Sequence, residues 1–139
     1  MENKLLPNKD DTMQSFREDY SAISLMHYSQ LLNFIGPFGL IIPLVLWSSK
    51  KLEIKDMDIH GKNVINFQIS LLIYIIVFFL LLFVSFILAL VLIGFIFMFL
   101  LSIVGIALFL LTIVPPILGG LAASRGEIYK YPMSIKFIK

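Results

Sequence analysis

The sequence predicts an all-α integral membrane protein with three transmembrane helices, the last two of which form a helical hairpin. The chain has 139 residues and is 59% hydrophobic, a composition outside the range of soluble globular domains. Between Lys62 and Arg125 it contains no Asp, Glu, Lys, Arg or His. One crossing of a ~30 Å hydrocarbon core takes about 20 apolar residues, and a single helix over this whole stretch would extend about 93 Å. We therefore expect the stretch to fold back and cross the membrane twice.

A first membrane span is expected over residues 21–47, after a polar N-terminal segment at residues 1–20. The apolar run that ends at Trp47 is too short to cross alone and reaches spanning length only when it is extended back to residue 21. Proline removes a backbone donor and clashes with the preceding helical turn. The first helix is therefore expected to be kinked or broken at Gly36-Pro37, and a re-entrant or interfacial first half is the alternative.

The hairpin is expected to consist of a second helix over residues 63–87 and a third helix that starts near residue 95. Pro115 and Pro116 disturb the third helix, which continues to residue 124 beyond them. Residues 21–124 then form a three-helix membrane domain.

Charge predicts the topology of this domain. A charged loop at residues 48–62 and a basic tail at residues 125–139 each carry four Lys or Arg residues, whereas the N-terminal segment carries three. The positive-inside rule therefore predicts a multi-pass protein of a bacterial cytoplasmic membrane, with loop and tail in the cytoplasm and the N-terminus outside. If the first helix lies at the membrane interface instead, the N-terminus is expected in the cytoplasm, and the loop and the tail keep their cytoplasmic assignment.

Composition excludes several classes of function. The net charge of +2, from 11 basic and 9 acidic residues, provides no basic patch for nucleic acid. The absence of cysteine excludes disulfides and thiolate metal sites. Two histidines with no carboxylate inside the spans are too few for a zinc site, which takes three or four ligands. No nucleophile has a base partner, so we expect no enzyme, no catalytic residue, no metal and no cofactor.

Polar side chains recur at helical spacing on the first and second helices. They are His27, Gln30 and Asn33 on the first helix and His60, Asn63, Asn66 and Ser70 on the second. At ~100° per residue each set covers one face, so the two sets are expected to face each other, while Gln68 points away. These residues either join the helices by hydrogen bonds, line a polar groove for a polypeptide or a small solute, or form a metal or proton site.

The tail alternates aromatic and charged residues. Glu127, Tyr129, Lys130 and Tyr131 are expected either to lie at the headgroup level of the bilayer or to contact a partner protein. Small residues on one face of the third helix, such as Gly105 and Gly119, permit close helix approach within the monomer or between copies. A homo-oligomer is therefore one of the expected assemblies.

Three segments resemble a known family. They are HYSQLLNFIGPFGLIIPLVLW at residues 27–47, HGKNVINFQIS at residues 60–70 and GEIYKYPMSIKFI at residues 126–138. Together they resemble a family of small bacterial membrane proteins of unknown function, related to the Tic-twenty component of chloroplast protein import. The resemblance implies a helical membrane protein that works through partners, and it brings no catalytic residues.

The expected function is that of a non-enzymatic accessory protein or subunit of a larger membrane complex, in protein translocation or membrane-protein biogenesis. Its expected partners are the lipid bilayer and other membrane proteins, such as a translocase or an insertase, and no nucleic acid. The alternative is a small oligomeric transporter or channel that uses a polar groove between helices 1 and 2.

Overall fold

The computed structural model describes residues 17–89 and 92–139. The described residues form four α-helices and one 3₁₀ segment that continues the first helix. These elements are α1 (Tyr20–Tyr28), the 3₁₀ segment (Ser29–Ile35), α2 (Phe38–Lys50), α3 (Met57–Leu88) and α4 (Ile93–Ser124). The predicted all-α class is confirmed for this part of the chain, in which an isolated bridge between Arg17 and Ile54 is the only β-type pairing. Most of the expected polar segment at residues 1–20 lies outside the described residues.

The predicted hairpin is confirmed: α3 and α4 each have 32 residues and lie side by side. Both are long and apolar enough to cross a membrane, and only 11% of the most apolar window of each is buried within the fold. The core helix of a soluble protein would be covered by its neighbours, whereas these helices expose Leu, Ile, Val and Phe along most of their length. Such a surface is stable in hydrocarbon and not in water.

The three expected spans are not confirmed, because the residues of the first form two shorter segments that run in opposite directions. α1 and the 3₁₀ segment run along α3 from the level of His60 to that of Gln68, the chain turns at Gly36 and Pro37, and α2 runs back to Asp58. Gly36 has φ +126°, which non-glycine residues rarely adopt. The 13 residues of α2 are too few to span. The helix is broken at Gly36-Pro37 as expected, but the result is a re-entrant arm, residues 20–50, with both ends on one side.

Backbone contacts locate the ends of the re-entrant arm. The N–H of Arg17 donates to the carbonyl of Glu53 (2.9 Å), and the N–H of Lys55 donates to the carbonyl of Arg17 (3.1 Å). Residue 17 thus lies beside the charged loop rather than across a membrane from it. The expected placement of the N-terminal side opposite the loop was wrong for residue 17, because it assumed that the first helix crosses.

The packed core sits at the charged end of the hairpin, where the re-entrant arm and the tail cover α3 and α4. Ile23, Met26, Val64, Phe67 and Ala123 are its central apolar residues. The Ser24 hydroxyl donates to the carbonyl of Gly120 (3.1 Å) and joins α1 to α4. We call this end of the molecule the head. It fixes the positions of the polar residues described below.

Candidate functional site

The centre of the head is a chain of three buried polar side chains from three elements. His27 Nε2 lies 2.9 Å from His60 Nδ1, and His27 Nδ1 lies 2.6 Å from the Tyr131 hydroxyl. All three side chains are buried. Gly119 of α4 makes room for them, since a Cβ there would lie 2.5 Å from His27 Nδ1. The tail, α1 and α3 therefore meet at one point against α4.

A ladder of amides extends this centre towards the tip of the re-entrant arm. Gln30 Nε2 donates to the Tyr131 hydroxyl (2.5 Å) and to the carbonyl of His27 (3.1 Å). Gln68 Nε2 donates to Gln30 Oε1, and Asn33 Nδ2 donates to Gln68 Oε1, both at 3.1 Å. The arm is thus joined to α3 by hydrogen bonds from His27 to Asn33.

The central chain can be satisfied by neutral side chains. Gln30 donates to the Tyr131 hydroxyl, which can donate its own proton to His27 Nδ1. His27 with its proton on Nε2 can then donate to His60 Nδ1. The same distances fit the opposite tautomers, in which His60 Nδ1 donates to His27 Nε2 and His27 Nδ1 donates to the hydroxyl. Burial raises the pKa of Tyr131, so its hydroxyl keeps its proton in both arrangements.

Asn66 binds the end of the tail through main-chain atoms. Its Oδ1 accepts from the N–H groups of Phe137 (2.9 Å) and Ile138 (2.7 Å), and its Nδ2 donates to the carbonyl of Ile138 (2.9 Å). The amide side chain of Asn66 thus makes three hydrogen bonds to main-chain atoms of the tail, which are groups that the main chain of a neighbouring β-strand would otherwise bind.

Three further side chains of α3 fix the path of the tail. Asn63 Nδ2 donates to the carbonyl of Tyr129, and the Tyr74 hydroxyl donates to the carbonyl of Met133. The Ser70 hydroxyl accepts from the N–H of Ile135 and donates to the carbonyl of Asn66. The tail therefore runs from the level of Asn63 to that of Tyr74 and back to Asn66.

The re-entrant arm is also joined to α3 at its far end, through Trp47. The Trp47 indole N–H donates to Asp58 (3.0 Å), which is also paired with Lys62 (2.6 Å). A Cβ at Gly61 would overlap the indole ring, so glycine permits this contact. The ammonium group of Lys51 lies 5.2 Å from the ring centre, a cation–π geometry.

The structure brings some of the expected residues together and separates others. His27 meets His60, as the two facing stripes predict, whereas Asn63, Asn66 and Ser70 face the tail instead of the first helix. The expectation that Gln68 points away was wrong, because the arm packs across a wider sector of α3 than one stripe.

The tail residues that were expected at the headgroup level or at a partner protein do not share one environment. Tyr131 is buried in the head, while Lys130 is exposed and Glu127 pairs with Arg125 (3.0 Å). Tyr74 and Gln68 were not among the expected site residues. Both can be recognised in the sequence as polar residues within an otherwise apolar helix.

The head is a closed hydrogen-bonded network. Within the described residues, every buried side-chain nitrogen or oxygen has a hydrogen-bond partner. The same residues contain no group of three His, Cys, Asp or Glu side chains that could hold a metal ion. The arrangement positions the arm and the tail on α3, and whether it also serves as a binding groove stays a prediction.

Fold and site together define a class: a small integral membrane protein with a two-helix hairpin, a re-entrant helical arm and a clamped C-terminal tail. Within that class, the chain belongs to the MamF/MmsF family, the magnetosome magnetite crystal formation protein family, whose model matches residues 18–138. No curated protein and no solved structure matches the chain significantly.

The family match corrects the expected relationship to the Tic-twenty component of chloroplast import. All three segments that carried that resemblance lie within residues 18–138, and the family model assigns them to the magnetosome family. The resemblance was wrong because another family of apolar helical proteins has segments of similar character. The expected translocation setting and the translocase or insertase partner lose their support with it. An integral membrane protein remains, in agreement with the family and the hairpin.

Proposed function

We propose that this chain is a non-enzymatic accessory protein of the magnetosome membrane that acts in magnetite crystal formation. The observation that carries the proposal is the family match, which extends over the re-entrant arm, the hairpin and the tail. The match therefore covers nearly all of the residues that the structure describes. The network of the head supports a structural role for its polar residues, since they bond to one another and to the tail.

The orientation follows from the distribution of charge. All nine Lys and Arg residues from residue 17 onward belong to the head, its loop or its tail, and the far end of the hairpin has none. The positive-inside rule therefore favours a head in the cytoplasm. Of the residues that the structure describes, the far side of the membrane then receives the short connection between α3 and α4, which includes Ala89 and Leu92.

This orientation limits how the chain can act on a mineral. Iron ions are held by carboxylate, imidazole or thiolate ligands, and residues 63–124 contain none of these groups. The chain is therefore proposed to act through the bilayer and through other membrane proteins, including copies of itself, and not by binding the crystal surface. We do not propose transport, because the polar side chains expected to line a groove form hydrogen bonds to one another and to the tail.

Complementation tests the proposal. The chain is produced in a magnetite-forming bacterium that lacks its own members of this family, and crystal sizes are measured by electron microscopy. We expect the chain to restore the crystal size distribution, and the Ser102→Ala variant to restore it equally, since that exposed hydroxyl bonds only within its own helix. Unchanged crystals in cells whose membranes contain the chain would contradict the proposal.

A further inference from the structure

A cavity of about 650 Å³ lies where the tip of the re-entrant arm meets the hairpin. Its walls are mainly apolar and include Phe34 and Pro37 from the tip and Leu72 and Phe79 from α3. Ligand sites have volumes of roughly 300–1,000 Å³ and mostly apolar walls. Phe34, Leu72 and Phe79 are 58%, 51% and 63% exposed. The cavity is therefore open sideways to the medium around the hairpin.

One end of the cavity is polar. Asn33 and Gln68 line it, and each amide nitrogen donates one hydrogen bond within the amide ladder. A primary amide nitrogen carries two N–H groups, so each side chain retains one N–H beyond those bonds. The cavity thus combines an apolar body with hydrogen-bond donors at one end.

The length of the hairpin places this polar end at the edge of the hydrocarbon. A ~30 Å core takes about 20 helical residues, and twenty residues counted back from Leu88 reach Ile69. From Ile69, directly after Gln68, to Leu88, all residues of α3 are apolar except Ser70, Tyr74 and Ser85. Gln68 therefore lies at the boundary on the side of the head, while Leu72 and Phe79 lie within the hydrocarbon.

We propose that this cavity binds one acyl chain of a membrane glycerolipid from the leaflet on the side of the head. The ester carbonyl accepts a hydrogen bond from Asn33 or Gln68, and the chain extends past Leu72 to Phe79. Ester groups lie at the boundary between headgroups and hydrocarbon, which is the level of these amides. Water in the apolar part would lack hydrogen-bond partners, so hydrocarbon is the favoured occupant. The inference is independent of the role in magnetite formation.

Photolabelling tests the site. The full chain is reconstituted into phosphatidylglycerol–phosphatidylcholine vesicles that contain a trace of phospholipid with a diazirine in one acyl chain. Labelled residues are then mapped by mass spectrometry. We expect several-fold more label at Leu72 and Phe79 than at Leu80, which is 60% exposed on the same helix but outside the cavity. Uniform labelling of the exposed faces of α3 would overturn the proposal.

Two comparisons sharpen the test. The Leu72→Trp variant fills the cavity and is expected to reduce labelling at Phe79 several-fold, whereas Leu80→Trp, the same change outside the cavity, leaves it unchanged. In vesicles whose host lipids are ester-linked, the host lipid is expected to compete with the ester probe better than in vesicles of the ether-linked analogues, which lack the carbonyl. Labelling is therefore expected to be higher in the ether vesicles. Equal competition by both lipids would overturn the carbonyl contact. Because competition is measured on the wild-type chain, it does not depend on the folding of a variant.

Discussion

At the scale of single residues, the head depends on polar groups that have no alternative partner. His27 uses both ring nitrogens, one with His60 and one with Tyr131. A buried donor or acceptor that loses its partner costs about 1–3 kcal/mol. The network therefore stabilises the head mainly because every buried group in it has a partner, and less through the strength of any one bond.

The Tyr131→Phe substitution tests this argument. The Phe ring retains the stacking on Phe67, whose ring centre lies 4.4 Å away, but His27 Nδ1 loses its hydrogen-bond partner. We expect the free energy of unfolding to fall by about 1–3 kcal/mol, measured by thermal or denaturant unfolding in detergent micelles.

Tyr129→Phe is the matched control for that substitution. Among the described residues, Tyr129 takes part in hydrogen bonding through its main-chain carbonyl, which the substitution retains. Its unfolding free energy is expected to stay close to that of the wild type. Equal losses in both variants would show that the hydroxyl of Tyr131 contributes nothing specific.

Helical periodicity predicts part of the site and cannot predict the rest. The spacing of polar residues selects His27 and His60 because each lies on the polar face of its own helix. Tyr131 lies 104 positions from His27, in a tail without periodic structure, so no local pattern links the two. Gln68 is missed for a different reason: a single stripe assumes one neighbouring helix, whereas α3 contacts both the arm and the tail.

At the scale of elements, the reversal at Gly36 and Pro37 decides the architecture of residues 20–50. Hydropathy reports only the total length of an apolar stretch. That length is the same whether the stretch crosses the membrane as a kinked helix or turns back as a re-entrant arm. The break is visible in the sequence because Gly and Pro interrupt helices. The direction of the chain after the break depends on tertiary contacts, such as that between Trp47 and Gly61.

The Gly36→Ala substitution tests the reversal. No atom lies within 4 Å of a Cβ built at Gly36, so the cost is that of its backbone conformation, φ +126° and ψ −152°. Such a conformation is essentially restricted to glycine, and strain of this kind costs about 1–3 kcal/mol. We expect a lower unfolding temperature in micelles.

Gly105→Ala is the control for this change, because Gly105 lies inside α4 and a Cβ there would meet only the tip of the Phe78 ring at 3.0 Å. Helical backbone favours Ala over Gly. A loss at position 105 as large as that at position 36 would argue against the strained turn.

At the scale of the whole molecule, charge and apolar surface are separated along one axis. From residue 17 onward the charged residues cluster at the head, and exposed Leu, Ile and Phe cover the hairpin. Hydropathy and charge alone predict this polarity and the hairpin. They do not predict that the arm starts and ends at the head, because a third crossing would satisfy the same composition.

Cysteine labelling tests topology and arm together. The chain has no cysteine, so single-cysteine variants need no altered background. We expect Leu92→Cys to react with a membrane-impermeant maleimide in intact spheroplasts, because it lies at the end of the hairpin opposite the head. Arg17→Cys and Lys136→Cys are expected to react only after lysis, since both belong to the head, which we propose lies in the cytoplasm.

The decisive comparison is between positions 17 and 136. Arg17 pairs with the loop through Glu53 and Lys55, so a re-entrant arm places it on the same side as the tail. Three crossings would place it on the opposite side, together with residue 92. Labelling of Arg17→Cys in intact spheroplasts, with Lys136→Cys protected, would therefore refute the re-entrant arm. Protection of residue 92 with labelling of the other two would keep the arm and reverse only the orientation, because all three positions would exchange sides together.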